Sequence, residues 1–177
     1  PTSWKNKRVF GFSGRFASGK TTAAKHLASM GYSYRRYSQV VEELVMSEKP
    51  QYDRGDLQRK GEELHLTRGQ RWLGAKLIEP ILDDQKIVID GIRFPEDHAY
   101  LAETFGAAFV HVHISATVLN RQKRYYSRPD QTTPFEQAEL HAVESQVDSL
   151  RDLANVHIRN DASLTDFVTR LATLTQV

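Results

Sequence analysis

Apolar and polar positions along the chain fall into blocks that switch between strand-like and helix-like spacing. Arg8-Val9-Phe10-Gly11-Phe12-Ser13 is a short β-rich run, followed by a Gly-flanked loop and by helical spacing from Lys20 to Met30 that Gly31 can cap. Tyr32 to Ser38 reads as a second strand. Val40 to Glu48 and Asp56 to Asp83 carry helical spacing punctuated by Gly55, Gly61, Gly69 and Gly74, which predicts several helices. Lys86-Ile87-Val88-Ile89-Asp90-Gly91 holds three consecutive β-branched residues and stops at an acid, the pattern of a strand buried on both faces of a parallel sheet. Pro95 can open the next helix and Gly106 close it, and Ala108 to Ile114 reads as a fourth strand. Helical spacing returns over Thr117 to Tyr126. Thr133-Pro134-Phe135-Glu136 offers an N-cap hydroxyl, a Pro at N1 and a Glu at N3 for one helix running to Leu153. A fifth strand, Val156 to Arg159, and a final amphipathic helix opening at Ser163-Leu164-Thr165-Asp166 complete the pattern. Strands alternating with helices predict an α/β fold with a doubly wound, five-stranded parallel sheet.

Composition narrows the function classes. A length of 177 residues, with no repeat and no low-complexity linker, predicts one domain spanning 1–177. No apolar run reaches the roughly 18 residues of a membrane span, so no membrane partner is expected. Pro1 to Lys5 lack an apolar core, and the missing initiator Met points to processing or trimming rather than a secretory signal. Zero Cys excludes disulfides, thiolate nucleophiles and thiolate zinc sites, and suits a cytoplasmic location. A net charge of +2 gives no basic field for nucleic acid, so positive charge has to act locally. Nothing in the sequence excludes a homodimer.

Gly14-Arg15-Phe16-Ala17-Ser18-Gly19-Lys20-Thr21 fits G-x-x-x-x-G-K-[ST] at every fixed position, between a predicted strand and a predicted helix. Glycines let backbone N–H groups curl around phosphate oxygens, and the helix N-terminus adds partial positive charge. Lys20 reaches β- and γ-phosphates, and Thr21 offers a hydroxyl to Mg²⁺, so ATP and Mg²⁺ are the expected cofactors. Gly14, Arg15, Ala17, Ser18, Gly19, Lys20, Thr21 and Thr22 form the expected donor-binding loop. The Gly-x-Ser-x-Gly elbow of hydrolases does not fit, because Gly14 and Arg15 follow Ser13.

Asp90 ends the buried strand, and ligands of doubly wound sheets sit at the carboxyl ends of strands, where the phosphate loop also lies. Asp90 is therefore the expected partner of a Mg²⁺-bound water or of an attacking oxygen, and Arg93 can hold an acceptor phosphate. Arg121 and Arg124 share a helix face, with Arg128 just beyond, a local basic cluster suited to migrating phosphoryl charge. Arg35, Arg36 and Arg59 are further candidates for the acceptor phosphate. Tyr37, Tyr52 and Trp72 lie where a base could stack, but their type reads first as core. His111-x-His113 puts two imidazoles on one strand face without a third ligand, which favours packing over metal.

The phosphate loop, Ile89-Asp90-Gly91-Ile92-Arg93 with Pro95-Glu96, the Arg121 to Asp130 stretch and Arg159-Asn160-Asp161-Ala162-Ser163-Leu164 together resemble the P-loop nucleoside monophosphate kinase group. The likeness extends to phage-type deoxynucleoside monophosphate kinases, dephospho-coenzyme A kinases and archaeal dephospho-coenzyme A kinase-like nucleotide kinases, over residues 8 to 172. The resemblance implies an acceptor-binding region at 39–85 and a short lid at 121–139. It implies catalytic roles for Lys20, Asp90, Arg124 and Arg128. Donor contacts are implied for Arg124 and Asp161, and acceptor contacts for Arg36, Arg59, Asp90, Arg93 and Arg128. One departure stands out. Where relatives often carry a further Arg after the lid, this chain has Glu139, His141 and Glu144.

The leading expectation is ATP-dependent phosphoryl transfer to a (deoxy)nucleoside monophosphate, with a small-molecule nucleotide as the acceptor partner. Phosphorylation of a hydroxyl, as in dephospho-coenzyme A kinase, is the alternative within enzymes. A nucleotide-binding sensor without turnover is the alternative outside them. A GTPase switch is disfavoured because no Asn-Lys-x-Asp motif is present.

Overall fold

The computed structural model describes residues 4–129, 131–140 and 142–176. Asp130, His141 and the Glu144 side chain, which figure in the lid reading, lie outside what is described. Five strands, β1 (Arg8–Ser13), β2 (Ser33–Arg36), β3 (Lys86–Ile92), β4 (Phe109–Ser115) and β5 (Val156–Arg159), form one parallel sheet in the order β2-β3-β1-β4-β5. Helix α1 (Lys20–Ser29) follows β1. Helices α2 (Tyr37–Glu48), α3 (Arg54–Thr67) and α4 (Gln70–Ile78) lie between β2 and β3, and α5 (Pro95–Phe105) between β3 and β4. Helices α6 (Val118–Tyr126), α7 (Phe135–Glu139) and α8 (Ala142–Leu153) join β4 to β5, and α9 (Leu164–Ala172) comes last.

Alternation along the buried strands sorts the core into two layers. Val9, Ile87, Ile89 and Phe109 face Leu73, Leu77, Leu101 and Leu150 on one side of the sheet. Phe10, Phe12, Val88, Val112 and Ile114 face Ala23, Leu27, Phe167 and Leu171 on the other. Both faces are covered, which is why β3 reads as a continuous apolar run rather than an alternating one. Parallel strands bring the ends of β1, β3 and β4 to one edge, and the loop after β1 sits in the middle of that edge.

Several local predictions hold and two shift. Thr117 caps α6 by accepting from the Asn120 N–H, and Ser163 caps α9 by accepting from the Asp166 N–H. The second strand ends at Arg36, short of Ser38, because the Gln39 side chain accepts the Arg36 N–H and starts α2 at once. The expected single helix from Thr133 to Leu153 is divided. Pro134 occupies the N-cap, α7 ends at Glu139, and α8 begins at Ala142. Thr133 does not act as the cap: its carbonyl accepts the Tyr125 hydroxyl, while the Tyr126 hydroxyl accepts the Phe135 N–H. These bonds draw Phe135 into a small apolar cluster with Ala17 and Tyr125 and tie the 121–139 segment to the phosphate loop.

Candidate active site

The loop from Gly14 to Gly19 has the backbone of an anion cradle. Gly14 and Gly19 adopt positive φ, at 145° and 115°. A Cβ at Gly14 would collide with the carbonyl oxygen of Ile114, and one at Gly19 with the Asn160 amide. Ala17 also sits at positive φ, 60°, so the turn is held by its surroundings rather than by glycine alone. Asn160 donates its side-chain amide to the Ser18 carbonyl at 2.9 Å, buried. Lys20 folds back and donates to the carbonyls of Gly14 and Arg15. Its ammonium thereby rests on the loop that a phosphate would occupy.

At the head of α1, the exposed Thr21 donates its hydroxyl to Asp90 Oδ2 at 2.9 Å. The same oxygen accepts the Tyr34 hydroxyl at 3.0 Å. Asp90 is 4% exposed, near the end of β3, which runs two residues beyond the acid to Ile92 rather than stopping at it as the apolar run predicts. Burial and the Asp90 charge push the Tyr34 phenol up, so Tyr34 remains a donor. A hydroxyl and a carboxylate oxygen side by side at the mouth of the loop match the hard oxygen donors that Mg²⁺ takes, so Thr21 and Asp90 fit that ion. Tyr34 was not among the expected site residues; its only signal is its place on the strand neighbouring Asp90.

Arg124 reaches from α6 across the loop, 3.4 Å from the carbonyls of Ala17 and Ser18, and also donates to the Asn160 carbonyl. Asp161 accepts from the Thr117 N–H at 2.7 Å and from Asn120 at 3.1 Å, bonds that hold its carboxyl below the usual range and tie α6 to the loop after β5. A Gly14–Thr22 loop, Arg124 and the Asn160–Asp161 turn thus meet at one edge of the sheet. A cavity of about 460 Å³ lies beside the loop, lined among others by Arg15, Ser18, His113, Arg121, Asp148 and Arg151.

No family model matches this chain. A UPF0200 protein of Pyrobaculum aerophilum is 28% identical over 153 residues, 82% of this chain and 81% of that protein. A gluconokinase structure from Sinorhizobium meliloti superposes with a TM-score of 0.64 at 16% identity, covering 97% of this chain and 95% of its own. A dephospho-CoA kinase structure from Campylobacter jejuni superposes with a TM-score of 0.58 at 18% identity, covering 96% of each chain. The fold is that of P-loop kinases.

Within this P-loop kinase fold the other expected arginines do not all converge. Arg121 is 3% exposed and makes a two-pronged pair with Glu139, at 2.8 and 2.9 Å, beneath the rings of Phe16 and Phe135. It holds α7 to α6, so the part of it that borders the cavity carries a charge already matched by Glu139. The Arg15 side chain turns to Glu139 at 2.9 Å and Asp148 at 2.7 Å, which leaves its backbone as the part directed at the loop. Glu139 thus neutralises two cations, and they hold its carboxyl below the usual range. Arg36 pairs with Glu42 at 3.7 Å, and Arg59 pairs with Asp56 on the outer side of α3. Arg93 and Arg128 are exposed and make no side-chain ion pair among the described residues. Tyr37 and Trp72 pack against the core, in line with their type.

His111 and His113 are buried, 0% and 6% exposed, and both bond to the Ser13 hydroxyl on the same sheet face. Burial, with repulsion from neighbouring histidines, holds His111 down to about 3 and His113 down to about 4. Below the ordinary value of 6.5 the unfolded chain protonates both imidazoles while the folded chain keeps them neutral. Asp97, pushed up to about 7 by burial, works in the opposite direction. From these three groups unfolding therefore takes up about one net proton between pH ~4 and ~6.5, His98, also held down by burial, adds to the uptake, and stability is expected to fall by at least about 1.4 kcal/mol per pH unit as pH drops through that window. Denaturant titrations at three pH values across it check this; a flat profile contradicts the neutral buried imidazoles.

Proposed function

We propose that this chain is a kinase that uses ATP and Mg²⁺ to phosphorylate a hydroxyl of a small, phosphate-bearing acceptor, in the manner of a dephospho-CoA kinase. The observation that carries the kinase reading is the Thr21–Asp90 oxygen pair beside the Lys20-bearing phosphate loop. The fold shared with a gluconokinase and a dephospho-CoA kinase supports it. Mg²⁺ held by Thr21 and Asp90 supplies charge neutralisation between the phosphates when bound.

This chain's residues do the rest by positioning. Loop N–H groups hold the donor phosphates, and Lys20 leaves the Gly14 and Arg15 carbonyls to meet the β- and γ-phosphate charge. Arg124, already over the loop, lies beside the donor at its nucleoside end together with the Asn160–Asp161 turn. Arg93 is the cation open to an acceptor phosphate, and residues 39–85 are the acceptor-binding region. Of the other three acceptor arginines, Arg128 is exposed, whereas Arg36 and Arg59 are engaged by carboxylates, which favours an acceptor whose reacting oxygen is a hydroxyl over one whose phosphate needs a full ring of cations.

A second reading keeps a (deoxy)nucleoside monophosphate as the acceptor. It is favoured by Arg93, since one guanidinium can bind a phosphate through two parallel bonds. ADP release measured across a panel of nucleoside monophosphates, dephospho-CoA and unphosphorylated polyols separates the two. Turnover confined to hydroxyl acceptors supports the first reading, and turnover with monophosphates giving diphosphates supports the second. ATP that raises the melting temperature by linkage but releases no ADP with any acceptor overturns both and leaves a nucleotide sensor.

A further inference from the structure

The histidine pair on β4 belongs to a longer chain that the phosphate loop does not explain. His98 Nδ1 on α5 lies 2.9 Å from His111 Nδ1. His111 Nε2 lies 2.7 Å from the Ser13 hydroxyl, and the same hydroxyl lies 2.8 Å from His113 Nδ1. Ser13 directly precedes Gly14 of the phosphate loop. At one end His113 lines the cavity beside that loop. At the other end His98 is half-buried on α5, and His98 and His113 both make their bonds within the chain through Nδ1, which leaves each Nε2 as the outward nitrogen.

Every link has room for one hydrogen, and each internal imidazole or hydroxyl uses one atom to accept and one to donate. Two neutral arrangements satisfy all three links and also use the Ser13 hydrogen; a third, in which both imidazoles donate to the Ser13 oxygen, leaves that hydrogen without an acceptor among the described residues. In the first, His98 carries Nε2–H, His111 donates through Nδ1, Ser13 donates to His111, His113 donates through Nδ1, and His113 Nε2 is bare towards the cavity. In the second, every hydrogen is reversed, so His113 carries Nε2–H and His98 Nε2 is bare. Moving from the first to the second takes a proton in at one end and releases one at the other, with no charged imidazole left in the interior. Burial keeps His111 and His113 neutral at ordinary pH, consistent with conduction by concerted exchange rather than by storage of charge.

We propose that His113, Ser13, His111 and His98 form a proton relay that carries the proton of the acceptor hydroxyl from the cavity beside the phosphate loop to the surface at α5. It rests on the reading of the chain as a hydroxyl kinase whose acceptor reaches from the 39–85 region past the phosphate loop into that cavity, because a hydroxyl must lose a proton on phosphorylation whereas a phosphate dianion need not. The acceptor oxygen bonds to the γ-phosphorus of ATP, and the bond from that phosphorus to the β,γ-bridging oxygen breaks, its electron pair leaving on ADP. The acceptor proton passes to His113 Nε2. His113 Nδ1–H moves to Ser13, the Ser13 hydrogen to His111 Nε2, His111 Nδ1–H to His98 Nδ1, and His98 Nε2–H to water. His113 is the catalytic residue of this set, and Ser13, His111 and His98 act through it.

His98→Ala, at the outer end, interrupts the exit while leaving the phosphate loop and cavity lining in place. The expected result is a fall of about 10²-fold in kcat, an unchanged KM for ATP, and recovery on adding imidazole, which can fill the space left at α5 and take the proton. Nitrogen-15 NMR of the histidines in the wild-type protein reads the relay without any acceptor: His98, His111 and His113 should exchange together between Nδ1–H and Nε2–H tautomers. Histidines locked in one tautomer overturn the relay, as does a His98→Ala variant with full kcat or with a loss that imidazole does not restore. Absence of ADP release with every hydroxyl acceptor, for wild-type protein, overturns the hydroxyl-kinase reading itself, and is distinguished from failure of the relay by the variant's behaviour against an active parent.

Discussion

Lys20→Ala is expected to lower turnover by at least about 10²–10³-fold, the cost of removing one preorganised charge donor from the path of a migrating phosphoryl group. Folding should survive. Lys20 opens α1 and its side chain bonds outward to the carbonyls of Gly14 and Arg15, whereas the core behind it is made by Ala23, Ala24 and Leu27. Alanine is also the best helix former, so α1 loses nothing in propensity. ATP affinity should weaken as well, since the ammonium is drawn to the same phosphates in the bound state. Turnover assays, with melting curves on the same samples, check the prediction. Wild-type turnover in a folded Lys20→Ala protein sinks the kinase assignment.

Asp90→Asn is expected to lower turnover by about 10²-fold or more and to raise the Mg²⁺ concentration needed for half-maximal rate. The amide oxygen can still accept from Thr21 and Tyr34, the two hydroxyls that hold Asp90 Oδ2, so the local hydrogen bonds persist while the charge is lost. That separation makes the substitution informative: a carboxylate serving only to bind two hydroxyls would tolerate asparagine with little change in rate. ATP binding measured without Mg²⁺ should change little. A variant whose rate and Mg²⁺ dependence both equal those of the parent protein removes Asp90 from the site.

Much of the fold was legible because periodicity and punctuation act locally. The three β-branched residues before Asp90 place β3 in the interior, the glycine spacing around Lys20 places the phosphate loop, and Thr117 and Ser163 cap the helices their positions suggest. The division between α7 and α8 was not legible. Thr133, Pro134 and Glu136 have good local chemistry for one helix start, but the hydroxyls of Tyr125 and Tyr126, eight and nine residues away, claim the backbone there. A tertiary contact of that kind outweighs a cap worth about 1 kcal/mol.

The candidate site divides in the same way. Spacing alone singled out Lys20, Thr21 and Asp90, because the loop motif and the acid at the end of a buried strand are each contiguous in sequence. Arginines were recognisable as a group but not by role. Arg121, Arg124 and Arg128 share one short stretch, yet Arg121 is buried against Glu139, Arg124 lies over the loop and Arg128 is exposed. A guanidinium's role depends on which carboxylate or carbonyl reaches it first, and Glu139 and Asp148 come to the loop from helices more than a hundred residues further on. Tyr34 reaches Asp90 only through the pairing of β2 with β3, and Ser13 joins His111 and His113 only through the pairing of β1 with β4. The strand and helix positions, the anion cradle and its lysine could be read along the chain, since these depend on neighbours in the chain. Which charges are already matched and which polar groups bond to one another could not be read there, since both depend on distances between segments that only strand pairing and helix docking bring together.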